Sequence, residues 1–267
     1  MPISHELSIN TIPQLIKAIR LVINLIFMKS AFLVIYFFFN VFAVQEDRYS
    51  DALKEYDNKK YQASISICSS ELEKLPVKDS LFSKFLSLRA SSYLALRDFE
   101  PAIKDYKRLI GLYQKNVSWY VGLSYVYGES NDYMNCLSIL KKALAIDKKD
   151  IYIYNNLSYY SSQLGDYTNA IKYADDGLKY VTDDYWKGTL MNNRGYGYIG
   201  LKQYDKALND IDESIKLNSD NPFAFCYRAI ANIGLKKMET VCADLTKAKM
   251  LGSLTLTADL IKQYCKN

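Results

Sequence analysis

Histidine is almost absent from this chain of 267 residues, and the single copy, His5, lies in an N-terminal segment whose composition differs from the rest. The remaining sequence has no imidazole for a catalytic triad or for a metal site that uses histidine. It also has no glycine-rich phosphate loop and no Cys-x-x-Cys pair. The adjacent acids Asp175-Asp176 and Asp183-Asp184 do not face each other on a helix, and we interpret them as solvated. These absences argue against an enzyme and against a bound metal or cofactor.

Glycine and proline are also scarce, with 11 and 5 copies. Since both residues weaken helix interiors, their scarcity favours a nearly all-helical chain. The net charge is only +5, and the lysines occur in scattered pairs such as Lys141-Lys142 and Lys236-Lys237. No basic stripe is present, so we expect no binding to nucleic acid.

One stretch, residues 154–180, has the pattern of two short amphipathic helices joined at Gly165, which is suited to a helix C-cap. The second helix carries Ala170, Ala174 and Leu178 on one face. Two helices of this size cannot bury both of their apolar faces against each other. The unit therefore needs similar neighbours on each side.

The same pattern recurs along most of the chain. A small residue or valine in the second helix occurs at Ser64, Ala102, Cys136, Ala170, Ala207 and Val241, at intervals of 38, 34, 34, 37 and 34 residues. A small residue in the first helix occurs at Ala90, Ser124, Ser158, Gly195 and Ala229. We expect these small residues to let the two helices of each unit approach closely. The segment Val181–Gly188 holds the three extra residues of the 37-residue interval.

This 34-residue period resembles the tetratricopeptide repeat family over about residues 46–252. The resemblance implies an all-α solenoid of about six helix pairs with a concave groove, spanning residues 45–252. Residues 253–267 read as a C-terminal capping helix, because residues 256–265 carry one apolar stripe. The family resemblance further implies a non-catalytic scaffold that binds another protein, of bacterial exported type. The alternatives are a membrane-tethered envelope assembly factor and an enzyme with carboxylates in the groove.

By the same resemblance, the groove is lined mainly by first helices. Its candidate residues are Tyr125, Asn155, Asn156, Tyr159, Asn192, Asn193, Tyr196, Phe223 and Tyr227. This uncharged surface suits a peptide backbone or side-chain amides, and the alternative is that the residues are merely solvated or packed. Members of the family that hold a C-terminal carboxylate use lysine and arginine there. Both are missing here, so we expect no binding of chaperone tails.

Arginine and aspartate occur together, sixteen residues apart, in three of the pairs: Arg89 with Asp105, Arg194 with Asp210, and Arg228 with Asp244. Two other pairs have Leu123 and Leu157 at the arginine position and no acid at the second position. Because charge appears at both positions or at neither, we expect a salt bridge that joins the two helices of a pair. The alternative is a row of arginines that binds an anionic ligand.

The chain has five cysteines, an odd number. Cys68 and Cys136 lie on inward positions of second helices and are interpreted as buried thiols. Cys242 and Cys265 could meet if the capping helix folds back over the last pair. A disulfide there would suit an exported protein, and the alternative is two free thiols.

Residues 1–44 precede the repeats. An apolar run from Ala31 follows Met28-Lys29-Ser30 and ends in Val41-x-Ala43, which is the layout of a cleavable signal peptide that starts at Met28. We expect export to the periplasm or the medium after cleavage near Ala43. If Met1 is retained, Leu21–Val44 is long enough to anchor the chain in a membrane. We expect contact with a membrane only through residues 1–44.

Overall fold

The computed structural model describes residues 46–252 and 255–265, so the predictions for residues 1–44 lie outside the described residues. All regular structure within these ranges is helical. The helices are α1 (46–57), α2 (Tyr61–Lys74), α3 (Ser80–Ala95), α4 (Phe99–Leu112), α5 (Val117–Glu129), α6 (Tyr133–Ile146), α7 (Ile151–Gln163), α8 (Tyr167–Leu178), α9 (Asp184–Gly200), α10 (Tyr204–Leu217), α11 (Pro222–Gly234), α12 (Val241–Met250) and α13 (Thr255–Tyr264). Within the described ranges, none of the helices combines the length and the apolar character that crossing a bilayer requires.

The same turn closes every helix pair. Its central residue adopts the left-handed conformation in all six copies: Lys59, Arg97, Asn131, Gly165, Lys202 and Lys236. In the pair α7/α8, the N–H of Gly165 donates to the carbonyl of Ser162 (3.0 Å), and the N–H of Asp166 donates to that of Ser161 (2.9 Å). This is the Schellman arrangement that ends a helix. Only one copy uses glycine, so the turn tolerates lysine, arginine or asparagine at a position where glycine is favoured.

The chain divides into two compact units, and the division falls inside α3 after Arg89. The described part of the first unit contains α1, α2 and most of α3. Its interior includes the fully buried Cys68, Phe85 and Leu86. The ring of Tyr49 packs edge-on against Phe85, with 5.3 Å between the ring centroids.

In the second unit the helices pack in chain order as antiparallel pairs, and each pair also contacts the next. The first helices α7, α9 and α11 contact one another in sequence and therefore share one face. The predicted small positions lie where the helices of a pair touch. Ser158 is fully buried, and its Oγ donates to the carbonyl of Ala170 at 2.8 Å. This is the all-α stack of helix pairs that the repeat pattern predicts.

The three extra residues of the 37-residue interval lengthen a helix. Helix α9 has 17 residues, whereas α7 and α11 have 13 each. The helix begins early because the Asp183 side chain caps it by accepting from the N–H of Trp186 (2.9 Å). The insertion therefore adds about one turn to the N-terminus of α9.

Helix α13 packs against the last pair. Leu260 contacts two buried groups on that pair, one around Phe225 and Ala248 and the other around Val241 and Leu245. A disulfide joins Cys242 of α12 to Cys265, which follows α13 directly. Helix α13 and the disulfide thereby cover one side of the α11/α12 pair.

Candidate groove site

A cavity of about 510 Å³ lies on the face shared by α7, α9 and α11. Its lining residues are Asn155, Tyr159, Tyr185, Thr189, Asn192, Asn193, Asn218, Asp220, Asn221, Pro222, Phe223 and Tyr227. Six of the nine groove residues predicted from the sequence are among them: Asn155, Tyr159, Asn192, Asn193, Phe223 and Tyr227. The structure thus brings amides and aromatic rings from three consecutive first helices into one concave site.

Two carboxamides bridge α7 and α9 along the cavity. The Nδ2 of Asn193 donates to Oδ1 of Asn155 at 2.8 Å. The Nδ2 of Asn155 in turn donates to Oδ1 of Asn156 at 3.3 Å. Because each bond restricts the rotation of the next amide, Asn155 and Asn193 are held in fixed orientations before any ligand arrives.

Asn192 is 4% exposed and also lines the cavity. Its Oδ1 is buried, and none of the residues in the described ranges donates a hydrogen bond to it. A buried acceptor without a donor costs free energy. The site therefore contains a buried acceptor whose need for a donor the described residues leave unmet.

Aromatic rings form one wall of the cavity. Tyr227 is 6% exposed and stacks on Tyr196, with 4.5 Å between ring centroids and 13° between ring planes. The ring of Phe223 lies 6.2 Å from that of Tyr227. Burial raises the pKa of Tyr227 well above 10, and the nearby Tyr196 and Tyr159 raise it further. The phenol is therefore neutral at physiological pH and offers a ring face and a hydroxyl.

Three predicted groove residues do not line the cavity. Tyr125 projects from α5 with 47% of its surface exposed. Asn156 acts through its bond to Asn155, and Tyr196 supports Tyr227 from behind. The last two are therefore positioning residues for the groove.

The remaining lining residues were not among the nine predicted ones. Tyr185 enters because the extra turn of α9 extends one wall, so the 37-residue interval was the signal that could have found it. Thr189 lies beyond that turn, at the position that Tyr152 has in α7. Asn218, Asp220 and Asn221 belong to the α10–α11 turn, and Pro222 is the first residue of α11. The side chains of Asn218 and Asn221 accept from the N–H groups of Asp220 (3.2 Å) and Phe223 (3.1 Å), which shapes this turn.

Arg194 and Asp210, which the sequence predicts to pair, form a bidentate ion pair. The Nε of Arg194 lies 2.7 Å from Oδ2 of Asp210, and Nη2 lies 2.6 Å from Oδ1. A third bond joins Nη1 to Oδ1 of Asp175 on α8, at 2.6 Å. The interpretation of Asp175 as merely solvated was therefore wrong, because the stacking of α8 against α9 brings it to the free edge of the guanidinium.

Arg228 repeats this geometry one pair later. Its Nε and Nη2 lie 2.9 and 2.6 Å from the carboxylate of Asp244, and Nη1 lies 3.0 Å from Asp212 on α10. These hydrogen bonds raise the pKa of both arginines. Each arginine thus links three helices.

The third predicted pair, Arg89 with Asp105, spans the division between the two units and stays a prediction. Within the first unit, Nη1 of Arg89 donates to Ser69 Oγ at 3.1 Å.

The three cysteines outside the disulfide are buried. Cys68, Cys136 and Cys226 are fully buried. Burial raises the pKa of Cys136 to about 12, so its thiol is protonated at neutral pH. Over residues 46–252 and 255–265, no three histidine, cysteine or acidic side chains come together as a metal site.

Stacked helix pairs whose first helices line a groove define a helical repeat protein of the solenoid class. Three segments match the family model of the tetratricopeptide repeat: residues 83–116, 151–180 and 189–221. These three segments therefore carry the tetratricopeptide repeat that the 34-residue period predicts. This fold is that of a protein–protein interaction scaffold, and members of the family are generally non-catalytic. No protein of curated function matches the chain significantly in sequence.

Solved structures agree on the fold. A tetratricopeptide repeat protein from Parabacteroides merdae ATCC 43184 is 17% identical with a TM-score of 0.64, over 83% of this chain and 84% of that one. The APC/C hetero-tetramer Cut9-Hcn1 gives 16% identity and a TM-score of 0.65 over 83% of this chain, which spans only 43% of the matched chain. PilW, a type IV pilus biogenesis factor, is 17% identical with a TM-score of 0.58, over 69% of this chain and 86% of that one.

Proposed function

We propose that this chain is a non-catalytic scaffold that binds an extended segment of a partner protein in the groove of α7, α9 and α11. The observation that carries this proposal is the cavity of about 510 Å³, which gathers amides and aromatic rings from three successive first helices. An extended peptide needs partners for its backbone N–H and C=O groups, and side-chain amides provide both donors and acceptors. The aromatic wall offers apolar area for its side chains.

The bridge between Asn193 and Asn155 supports this proposal. Ordering two side chains at the moment of binding would cost conformational entropy. Here a hydrogen bond within the protein already holds both amides. The site is thus pre-organised for a ligand that lies across α7 and α9.

A groove variant and a matched surface variant test the proposal. Tyr159→Ala combined with Tyr185→Ala removes two rings that line the cavity, whereas Tyr125→Ala removes an exposed ring on a first helix outside it. The full-length chain is immobilised and incubated with a displayed library of random peptides. The wild type and the Tyr125→Ala variant should both retain peptides. The double variant should lose them. Equal retention by all three proteins would reject the groove as the binding site.

We further propose that the chain works outside the cytoplasm, after cleavage near Ala43 or tethered by residues 1–44. The disulfide between Cys242 and Cys265 supports this, because structural disulfides persist mainly in oxidising compartments. The N-terminal sequence of the protein from each cell fraction tests it. A mature start at Val44 in an envelope or secreted fraction would agree with export, and an uncleaved chain in the cytosol would reject it.

A further inference from the structure

We propose that the groove selects peptides through an arginine or lysine side chain, whose cationic end binds at Asp220 and Asn192. This inference rests on the proposed function, because it specifies which peptides the groove holds. It is carried by the charge of the cavity, by its hydrogen-bonding groups and by the position of its aromatic rings.

Asp220 is the only charged residue among those that line the cavity. It is exposed, and its carboxylate has no ion pair within the described residues. Its position is fixed, because its N–H donates to the Asn218 side chain at 3.2 Å and Asn221 caps the helix that follows. The groove therefore presents one unpaired negative charge on a defined turn and no positive charge. A peptide with a cationic side chain complements it, whereas an acidic peptide is repelled.

The hydrogen-bonding groups inside the cavity point to the same chemistry. The Nδ2 of Asn193 is bound to Asn155, and the hydroxyl of Thr189 donates to the carbonyl of Tyr185 at 2.8 Å. The hydroxyl of Thr189 and one N–H of Asn193 are thus already used within the protein. Asn192, in contrast, has a buried Oδ1 with no donor. A guanidinium offers five N–H donors and an ammonium three, and neither accepts a hydrogen bond.

Aromatic rings complete the cation site. The ring of Tyr185 lines the cavity with 59% of the residue exposed, and Phe223 lines it as well. The edge of Trp186 contacts Tyr185, with 5.4 Å between centroids, and fixes the ring at the start of α9. A cation over such a ring face is attracted by the negative charge of the π system. Carboxylate, free acceptor and ring faces together favour a basic side chain over a neutral one.

The test is selection of random displayed peptides by the full-length chain, followed by affinity measurements on one selected peptide made with an acetylated N-terminus. We expect arginine or lysine to be enriched at one position of the aligned peptides. Asp220→Asn should weaken the peptide about tenfold, since hydrogen bonds to charged groups are worth about that much. Asp205→Asn, which removes an exposed acid on α10 outside the cavity, should leave the affinity unchanged. Replacing the basic residue of the peptide by glutamine should remove its sensitivity to Asp220→Asn.

The outcomes separate this inference from the proposed function. Peptides that need the tyrosines of the groove but show no basic preference, or whose affinity survives Asp220→Asn, would overturn the cation site and leave the groove as a peptide site. Loss of binding on acetylation would assign the cation to the peptide N-terminus and overturn the side-chain assignment. Failure to select any peptide that depends on Tyr159 and Tyr185 would overturn both proposals.

Discussion

The helix pairs α7/α8 and α9/α10 correspond residue for residue at an offset of 37, yet different interactions hold them together. Where α7 has Leu157, which is fully buried, α9 has Arg194. Where α8 has Tyr173, α10 has the buried Asp210. At this position the first pair has two uncharged side chains, whereas the second has a bidentate ion pair that also reaches back to α8.

This difference shows that equivalent positions of two helix pairs can hold either uncharged side chains or an ion pair. The two solutions should respond differently to mutation. When a buried apolar side chain is shortened, the free energy of unfolding falls by an amount that grows with the part removed. A buried ion pair, in contrast, depends on both partners, because the one left behind remains charged and desolvated. The polar link of α9/α10 should therefore be more fragile to single changes than to a concerted one. The following changes test that comparison.

The largest effect is expected for Arg194→Ala. Asp210, whose side chain is 8% exposed, would lose its bidentate partner, at a cost of about 3–5 kcal/mol in the free energy of unfolding. The double variant Arg194→Leu with Asp210→Ile copies the residues of the α5/α6 pair, Leu123 and Ile139, and should be within about 1 kcal/mol of wild type or more stable. Urea unfolding followed by circular dichroism measures both. Equal losses in the single and double variants would contradict this account of the pair.

A smaller loss is expected from giving α9 the small residue of α7. Gly195 occupies the place of Ser158, and a Cβ there would lie 2.7 Å from Cγ1 of the fully buried Ile211. Gly195→Ser should therefore cost about 1–3 kcal/mol by overpacking. Ile211→Ala removes this Cγ1 atom, so the double variant should lose less stability than the sum of the losses of Gly195→Ser and Ile211→Ala. Thermal unfolding of the three proteins checks this, and an unchanged melting temperature for Gly195→Ser would contradict the close packing.

A gain is expected from transferring the N-cap of α8 to α10. The Asp166 side chain accepts from the N–H of Asn169 at 3.2 Å, whereas its counterpart Gln203 makes no such bond. Gln203→Asp should stabilise the chain by about 1 kcal/mol by satisfying an N–H at the start of α10. Gln203→Asn adds the same acceptor without charge and serves as its comparison. If neither variant is more stable than wild type, the turn cannot adopt the geometry that the N-cap hydrogen bond requires.

The turn before that cap offers a smaller gain. Lys202 has a φ of 58° where α7/α8 has Gly165 with 76°. A side chain in the left-handed region costs about 1–2 kcal/mol, and the greater freedom of glycine in the unfolded chain offsets part of the relief. Lys202→Gly should therefore stabilise by about 0.5 kcal/mol, and Gly165→Lys should do the reverse. Chemical denaturation of the two variants in parallel measures the difference, and two changes of the same sign would refute the equivalence of the turns.

The last change has no expected effect at neutral pH. Tyr159 and Tyr196 are equivalent in the two pairs, and burial raises the pKa of both above 10. At a pH between the pKa of the unfolded chain and that of the folded chain, these tyrosines are deprotonated in the unfolded chain and still protonated in the folded one. Their contribution to the free energy of unfolding is therefore fully present below pH 10 and is lost as the pH rises through the folded pKa. The double variant Tyr159→Phe with Tyr196→Phe should flatten this alkaline decline. An identical pH profile of the melting temperature for wild type and variant would contradict it.

The sequence alone determined the repeat and its helices. Ala170 and its counterparts recur at a near-constant interval. Because each crossing of two helices requires a small residue, this requirement can be found from the sequence alone. The pairing of Arg194 with Asp210 was predictable for the same reason, since charge at one position came with charge at the other. Six of the nine predicted groove residues line the cavity, and they were predicted from the family resemblance, which implies that first helices line the groove.

Tertiary structure decided what depends on contacts between pairs. Asp175 reaches Arg194 only because α8 stacks on α9, and nothing in the spacing of 19 residues between them indicates this. Asp220 and Tyr185 enter the groove because a turn and a lengthened helix extend its walls. Local pattern specifies the helices and their partners within a pair. The groove and its charge arise from how successive pairs pack, which is set by side-chain volumes across many residues at once.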